Sequence, residues 1–235
     1  MGRVARIVGF FLVGFLALVP FVGGNFVTYL ISQALIFSIF ALAYDLLFGY
    51  TGLVSFGHSV FYGVPAYAVG IVAKTVFDVS NPFLLFGTAV VIGGGLGIIV
   101  GYFCTYARGI YLALVTFAFA QIFWLLVLSD PGGITFGENG IMGLRPSPLH
   151  IGQHEVCLFK GIGLYYLVLL IFVFSYAIIH KVVDSPLGDV LKGIKHNEER
   201  LLSLGYNTRP YKIFSFVLSG AFSAIAGSLM VFLNN

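Results

Sequence analysis

Charge is what this chain lacks most. Of its 235 residues, 12 are Lys or Arg and 9 are Asp or Glu, so only 9% carry charge, against roughly a quarter in ordinary soluble domains. That is too little polarity to cover a water-facing globule, and the mean hydropathy of +1.02 points the same way. Cysteine is scarce too. Cys104 lies in an apolar run and Cys157 in a loop, which excludes a disulfide framework and a cysteine metal cluster. Cys104 reads as a small buried apolar residue. There is no basic, aromatic-interleaved patch, so no nucleic-acid partner is expected. No Gly-x-x-x-x-Gly-Lys-Ser/Thr phosphate loop occurs; the glycine cluster at 93–101 is apolar and has no lysine. Ser/His/Asp, Cys/His and HExxH arrangements are missing as well, which argues against an enzyme and against any bound cofactor or metal.

What the chain has is long apolar runs, 59% of it being hydrophobic. Crossing a hydrocarbon layer about 30 Å thick takes about 20 apolar residues at 1.5 Å each. Seven stretches approach that length: Ile7–Val22, Phe26–Phe48, Leu53–Val76, Phe83–Cys104, Ile110–Leu128, Ile162–His180 and Tyr211–Leu233. Gly23-Gly24-Asn25, Asp78–Pro82 and Arg108-Gly109 separate several of them. Backbone in lipid must bond within its own segment, so the expected fold is all-α. It is a polytopic transmembrane bundle of about seven spans, read as one domain over residues 1–235. The first run follows Arg3 and Arg6 but has no small-x-small cleavage pattern after it, and reads as a retained helix. Residues 49–68 are rich in glycine and contain Pro65. A broken or re-entrant element is therefore an alternative to a straight span there, tolerated where protein buries it.

Basic residues set the orientation. With the N-terminus in the cytosol, Arg3, Arg6, Arg108, Lys181, Lys192, Lys195, Arg200, Arg209 and Lys212 fall inside, and Lys74, Arg145 and Lys160 outside. Loop 181–210 is then cytoplasmic and loop 129–161 external, in a multi-pass cytoplasmic or inner membrane protein.

The cytoplasmic loop carries a helix signature. Ser185 can cap and Pro186 suits the first helical position. Leu187, Val190, Leu191, Ile194 and Leu201 form an apolar stripe. Gly205 suits the stop. One amphipathic helix, or two broken near Asn197, is expected on the inner face. It is either an interfacial helix or an element that docks into a partner's groove. Within the spans, Gly93, Gly97 and Gly101 make a doubled small-xxx-small ridge, and Ser219, Ser223 and Gly227 a similar strip. Such strips let helices pack closely in lipid, or give a face that slides during alternating access. Asp45 is a costly residue near the inner end of a span; a structural hydrogen-bonding role is favoured over a pathway carboxylate. Gln33, His58, Thr116 and Gln121 are milder polar cases. His58 without a Cys or carboxylate companion reads as a helix contact rather than a ligand. In the outer loop, Gly132-Gly133 and Gly137-Glu138-Asn139-Gly140 read as turns, or as a contact for an external protein.

Four blocks in order then resemble one family. Gly49-Tyr50-Thr51-Gly52-Leu53-Val54-Ser55-Phe56-Gly57-His58 is followed by Gly63, Ala66 and Tyr67. Next come Arg108-Gly109-Ile110-Tyr111-Leu112-Ala113-Leu114-Val115-Thr116-Phe117-Ala118-Phe119-Ala120 and Thr135-Phe136-Gly137-Glu138-Asn139-Gly140-Ile141-Met142-Gly143-Leu144. The last is Ser185-Pro186-Leu187-Gly188 with Ile194-Lys195, Glu198 and Gly205. Together they resemble the branched-chain amino acid permeases of ATP-driven (ABC) importers. Glu198-Glu199-Arg200-Leu201-Leu202-Ser203-Leu204-Gly205 is similar to their Glu-Ala-Ala…Gly signature, with Arg200 and Leu201 in place of the small pair.

The resemblance implies a permease subunit paired with a second, similar permease. Two cytoplasmic ATPases would drive it, hydrolysing ATP outside this chain, and an external solute-binding protein would supply it. It implies an ATPase-coupling loop built on Ser185, Pro186, Gly188, Glu198, Glu199 and Gly205. Packing or pathway roles go to Asp45, Gly49, Gly52, Gly57, His58, Gly93, Gly97, Gly101, Thr116 and Gln121. Related permeases continue through further helices, so a C-terminally short subunit is expected. Branched-chain amino acids lead as cargo, with other amino acids, urea or short amides behind. An ion-gradient-driven transporter or channel is the rival class, disfavoured by the paucity of buried charge.

Overall fold

The structure is a computed structural model that describes residues 3–73, 82–107, 109–130, 132–137, 140–141, 149–151, 154–156 and 161–234. Arg108, Glu138-Asn139, Met142-Gly143-Leu144, Cys157 and the basic residues Lys74, Arg145 and Lys160 lie outside the described residues.

Among the described residues eight α-helices follow in order: α1 (Arg3–Val22), α2 (Gly24–Asp45), α3 (Val60–Ile71), α4 (Pro82–Cys104), α5 (Ile110–Ser129), α6 (Ile162–Val183), α7 (Pro186–Ser203) and α8 (Thr208–Leu233). Two three-residue strands, Leu149–Ile151 and His154–Val156, form a small antiparallel hairpin between α5 and α6. Among the described residues five helices are long and apolar enough to cross a membrane: α2 with the turn after it, α4, α5, α6 and α8. The molecule is a multi-pass helical membrane bundle. The hydropathy runs therefore mark the spans, with α1 and the third stretch requiring comment.

The third stretch is not one span. After α2 the chain makes a π-helical turn, Leu46–Tyr50, and residues 51–59 leave the helix before α3 begins at Val60. At 12 residues α3 is about 18 Å long, well short of a hydrocarbon layer. Non-helical backbone at membrane depth needs partners from the protein, and here it has them. Thr51 Oγ1 donates to the Leu46 carbonyl at 3.0 Å and lies 3.1 Å from Ser215 Oγ. The Phe56 N–H donates to Thr116 Oγ1 at 3.1 Å. His58 Nε2 sits 3.0 Å from Ser223 Oγ and 3.3 Å from Ser219 Oγ.

Helix α8 is the spine. Its buried face carries Ser215, Ser219, Gly220, Ser223, Ala224 and Gly227, and α4, α3 and α2 all pack on it. Small residues allow that approach. A Cβ on Gly97 would stand 2.6 Å from the Phe216 carbonyl oxygen, and one on Gly93 would stand 2.4 Å from the Ala224 Cβ. A Cβ on Gly227 would meet the Tyr62 carbonyl oxygen at 2.2 Å. Close contact of this kind is what holds helices together in lipid, where burial of apolar surface supplies no drive.

On the opposite side, α1 docks on α6 through a vacancy made by proline. Pro20 lies inside α1 and has no N–H for the Leu16 carbonyl. The Tyr165 hydroxyl donates to that carbonyl instead, and Tyr166 donates to Ala17 beside it.

Candidate functional site

Two features stand out: the amphipathic helix α7, and the non-helical segment 51–59 that it underlies.

Helix α7 forms where the sequence signals place it. Ser185 is its N-cap, with the Gly188 N–H donating to Ser185 Oγ at 3.4 Å, and Pro186 opens the first turn. Gly188 is pressed against the end of α6, where a Cβ would stand 2.2 Å from the Val183 carbonyl oxygen. Leu191 and Ile194 are buried among Ala43, Leu46, Ile179 and Phe222, so the apolar stripe faces the bundle. The helix breaks at Asn197, whose φ of −164° and ψ of 96° are extended. Asn197 Oδ1 accepts from the Arg200 N–H at 3.0 Å, so the residue that ends one segment caps the next. The second segment stops at Gly205, φ +88°. Tyr206 N–H donates to the Leu201 carbonyl and Gly205 N–H to Leu202, both at 3.0 Å. This paired closure needs the left-handed backbone that glycine tolerates.

Three polar ties hold α7 to the bundle. Lys192 Nζ donates to the Val183 carbonyl at 2.8 Å, closing the end of α6. Lys195 Nζ donates to the Gly49 carbonyl at 2.6 Å, which joins α7 to the π-helical turn. Directly beyond, a Cβ on Gly52 (φ +75°) would stand 2.9 Å from Lys195 Cγ. Glu198 makes the third tie: its carboxylate bridges Lys212 Nζ at 2.6 Å and accepts from the Thr208 hydroxyl at 2.7 Å. Glu199, Leu202, Leu204 and Tyr206 are exposed on the other face, Leu204 at 67%.

Segment 51–59 is wedged between α8 and α5. Gly57 abuts the α5 backbone so closely that a Cβ would stand 1.8 Å from the Thr116 carbonyl oxygen. His58 is buried with Phe40, Tyr44 and Phe61 around its ring, at centroid distances of 5.2, 5.1 and 5.3 Å. A cavity of about 250 Å³ lies at the near end of the segment, walled by Thr51, Gly52, Val54, Leu112, Lys195 and Glu198 among others. A larger one, about 510 Å³, lies at the far end between α3 and α5.

The remaining sequence candidates scatter. Asp45 is exposed at the last turn of α2, its Oδ1 lying over Gly49, where an added Cβ would be 2.0 Å away. Gln121 is exposed on α5 and Gln33 half-buried on α2. Gly93, Gly97 and Gly101 lie together against α8. Among the described residues no group of three His, Cys, Asp or Glu could hold a metal ion. The sequence marked Ser219 and Ser223 only as small residues of a packing strip and did not single out Ser215; the four-residue spacing of all three on α8 was the signal that they would face one line of partners. Lys195 stood in the sequence as a basic residue and as part of the Ile194-Lys195 match, with nothing to point to the Gly49 carbonyl.

Outside the spans, the Asp130 carboxylate at the end of α5 accepts from the Thr135 hydroxyl at 2.8 Å and its N–H at 2.7 Å. The Thr135 hydroxyl, then its N–H, hold the carboxyl below its ordinary value.

This geometry defines a class: a polytopic membrane protein with a broken intramembrane element seated on a surface helix. Comparison with known sequences is consistent with it and narrower. The chain belongs to the family described as "Branched-chain amino acid transport system / permease component", which it matches over residues 26–234. It is 29% identical over 248 aligned residues, 93% of this chain, to the high-affinity branched-chain amino acid transport system permease protein LivM of Escherichia coli (strain K12). To the protein of the same name from Salmonella typhimurium (strain LT2) it is 28% identical over 224 residues, 84% of this chain. The chain spans about half the length of these relatives, 56% and 50% respectively. No solved structure matches it significantly.

Proposed function

We propose that this chain acts as a transmembrane permease subunit of an ATP-driven importer, moving branched-chain or closely related amino acids across the cytoplasmic membrane. The single observation that carries the reading is the seating of α7. Its inner face is tied to α6, to the π-helical turn and to α8 by Lys192, Lys195 and Glu198, while Glu199, Leu202, Leu204 and Tyr206 are exposed outward. A helix so mounted can take a push from a partner and deliver it to the spans.

In this reading residues 1–235 work as one transmembrane unit, with loop 181–210 in the cytosol as the ATPase-coupling loop and loop 129–161 outside. The N-terminus is cytoplasmic, as the nine basic residues named above favour. Two ATPase subunits grip the exposed face of α7 and hydrolyse the nucleotide; this chain binds no cofactor. A second, homologous permease completes the pathway, and an external binding protein delivers the solute.

The test is uptake of labelled leucine into vesicles carrying this chain with the second permease and the ATPase pair. Uptake is expected to require ATP and to survive an uncoupler. Glu199→Cys is expected to cross-link to an ATPase subunit. Uptake that collapses with the uncoupler and needs no ATPase would instead identify an ion-gradient-driven carrier.

A further inference from the structure

Segment 51–59 separates two cavities, and α5 runs past both. Gly109 and Leu112, at the start of α5, line the smaller cavity next to α7. Ala120 to Leu128, near its end, line the larger one. Leu112 and Ala120 are about 12 Å apart along a helix rising 1.5 Å per residue. The larger cavity therefore lies further along α5 from α7, and its lining includes Gly137 in the loop beyond α5. Between the two lies backbone fixed at Thr51, Phe56, Gly57 and His58 by the contacts described above.

The larger cavity has the character of a site for a small apolar solute. Its volume of about 510 Å³ falls within the roughly 300–1,000 Å³ typical of small-ligand pockets. Val64, Phe123, Trp124 and Leu128 supply apolar wall, and Ser59 and Tyr67 supply hydroxyls; among the described residues no charged side chain lines it. Gly63 is part of the wall, and a Cβ there would meet nothing within 4 Å. The glycine is thus not required for helix packing; it leaves room.

We propose that the cavity between α3 and α5 is the entry site for the cargo, taking an aliphatic amino acid of leucine size from the side opposite α7, with segment 51–59 as the closed floor. The branched side chain lies against Phe123 and Trp124. The ammonium and carboxylate stay toward the water-facing rim near Gly137, with the Ser59 and Tyr67 hydroxyls within the wall. A charged side chain is refused because none of the described wall residues carries a charge to offset its desolvation. This inference rests on the importer reading and adds to it the place where the solute first binds.

The chain carries one tryptophan, and it is in this wall, so Trp124 emission reports occupancy directly. In nanodisc-embedded protein, L-leucine and L-isoleucine are expected to shift Trp124 emission saturably, and L-lysine and L-glutamate to leave it unchanged. Gly63→Leu, whose Cβ meets nothing within 4 Å and whose side chain takes up part of the cavity, is expected to abolish the response. A second measurement covers a silent fluorophore. Gly63→Cys, in a chain carrying Cys157→Ser, is labelled by a maleimide that does not cross the bilayer, and leucine is expected to slow that labelling several-fold. Absence of both responses to leucine, or an undiminished response in Gly63→Leu, overturns the proposal and leaves the cavity to a lipid chain. ATP-dependent leucine uptake alongside such a result would keep the importer and discard only the site; loss of both would discard the importer too.

Discussion

Lys212 Nζ lies 2.6 Å from Glu198 Oε1, with 4% of the Lys212 side chain exposed and 21% of the Glu198 side chain. The pair fastens the second segment of α7 to the base of α8. An ammonium taken this far out of water needs its counter-ion, and removing one partner leaves the other uncompensated.

Glu198→Ala is therefore expected to destabilise the chain by roughly 3–5 kcal/mol, the range for breaking a buried pair. Thermal unfolding in detergent measures it. The double variant Glu198→Gln with Lys212→Met is expected to recover much of the loss, since it removes the stranded charge. If the single variant melts like the parent, the pair has no structural part.

The tie from Lys195 to Gly49 predicts a different kind of defect. Lys195 is an exposed side chain, so Lys195→Ala is expected to change stability by well under about 1 kcal/mol. It is nonetheless expected to weaken the link between solute and ATP turnover in the assembled importer. Substrate-stimulated ATP hydrolysis in proteoliposomes reads this out; unaltered stimulation would remove Lys195 from the coupling path.

The α4–α8 contact offers an internal control. At Gly97 a Cβ would collide with the α8 backbone, whereas at Gly95 it would meet nothing within 4 Å. Gly97→Leu is expected to cost at least the roughly 1–3 kcal/mol of an overpacked core. Gly95→Leu is expected to leave the melting temperature nearly unchanged. Equal effects at the two positions would show that α4 packs on α8 through another face.

Acid tests the turn after α5. The Asp130 carboxyl titrates below its ordinary value of 3.8 because the charged form accepts from Thr135. A depressed folded value means that the contribution is present above 3.8 and is lost as pH falls through the folded value. Protection of the Thr135 amide, its exchange rate set against that of an unprotected amide at the same pH, is expected to hold at neutral pH and to fall only in strong acid. Asp130→Asn is expected to remove that pH dependence; an unchanged profile would show that another group guards the amide.

Much of this was legible in the sequence because lipid imposes few solutions. Apolar runs marked the spans, and Ser185, Pro186, Asn197 and Gly205 marked how α7 begins, breaks and ends. Those signals are local, carried by one residue acting on backbone within a turn. The partners of segment 51–59 were not legible, since Thr51–Ser215 and His58–Ser223 join residues far apart in the chain. Serine on an apolar helix looks the same whether it eases packing or awaits a ring nitrogen. Lys195 was opaque for a related reason: its charge announces an inner face, but only the fold supplies the Gly49 carbonyl. Asp45 read as a hydrogen-bonding residue near the end of its span, and it is exposed at the last turn of α2 beside the π-helical turn.

The serine ladder of α8 has a mechanical corollary. The helix that holds Glu198 at its foot through Lys212 also presents Ser215, Ser219 and Ser223 to the floor between the cavities. A continuous rod of 26 residues does not stretch, so tilting its foot must carry the rungs with it. One helix then spans the distance from the Glu198–Lys212 pair to the non-helical segment 51–59, and no relay of side chains is needed between them.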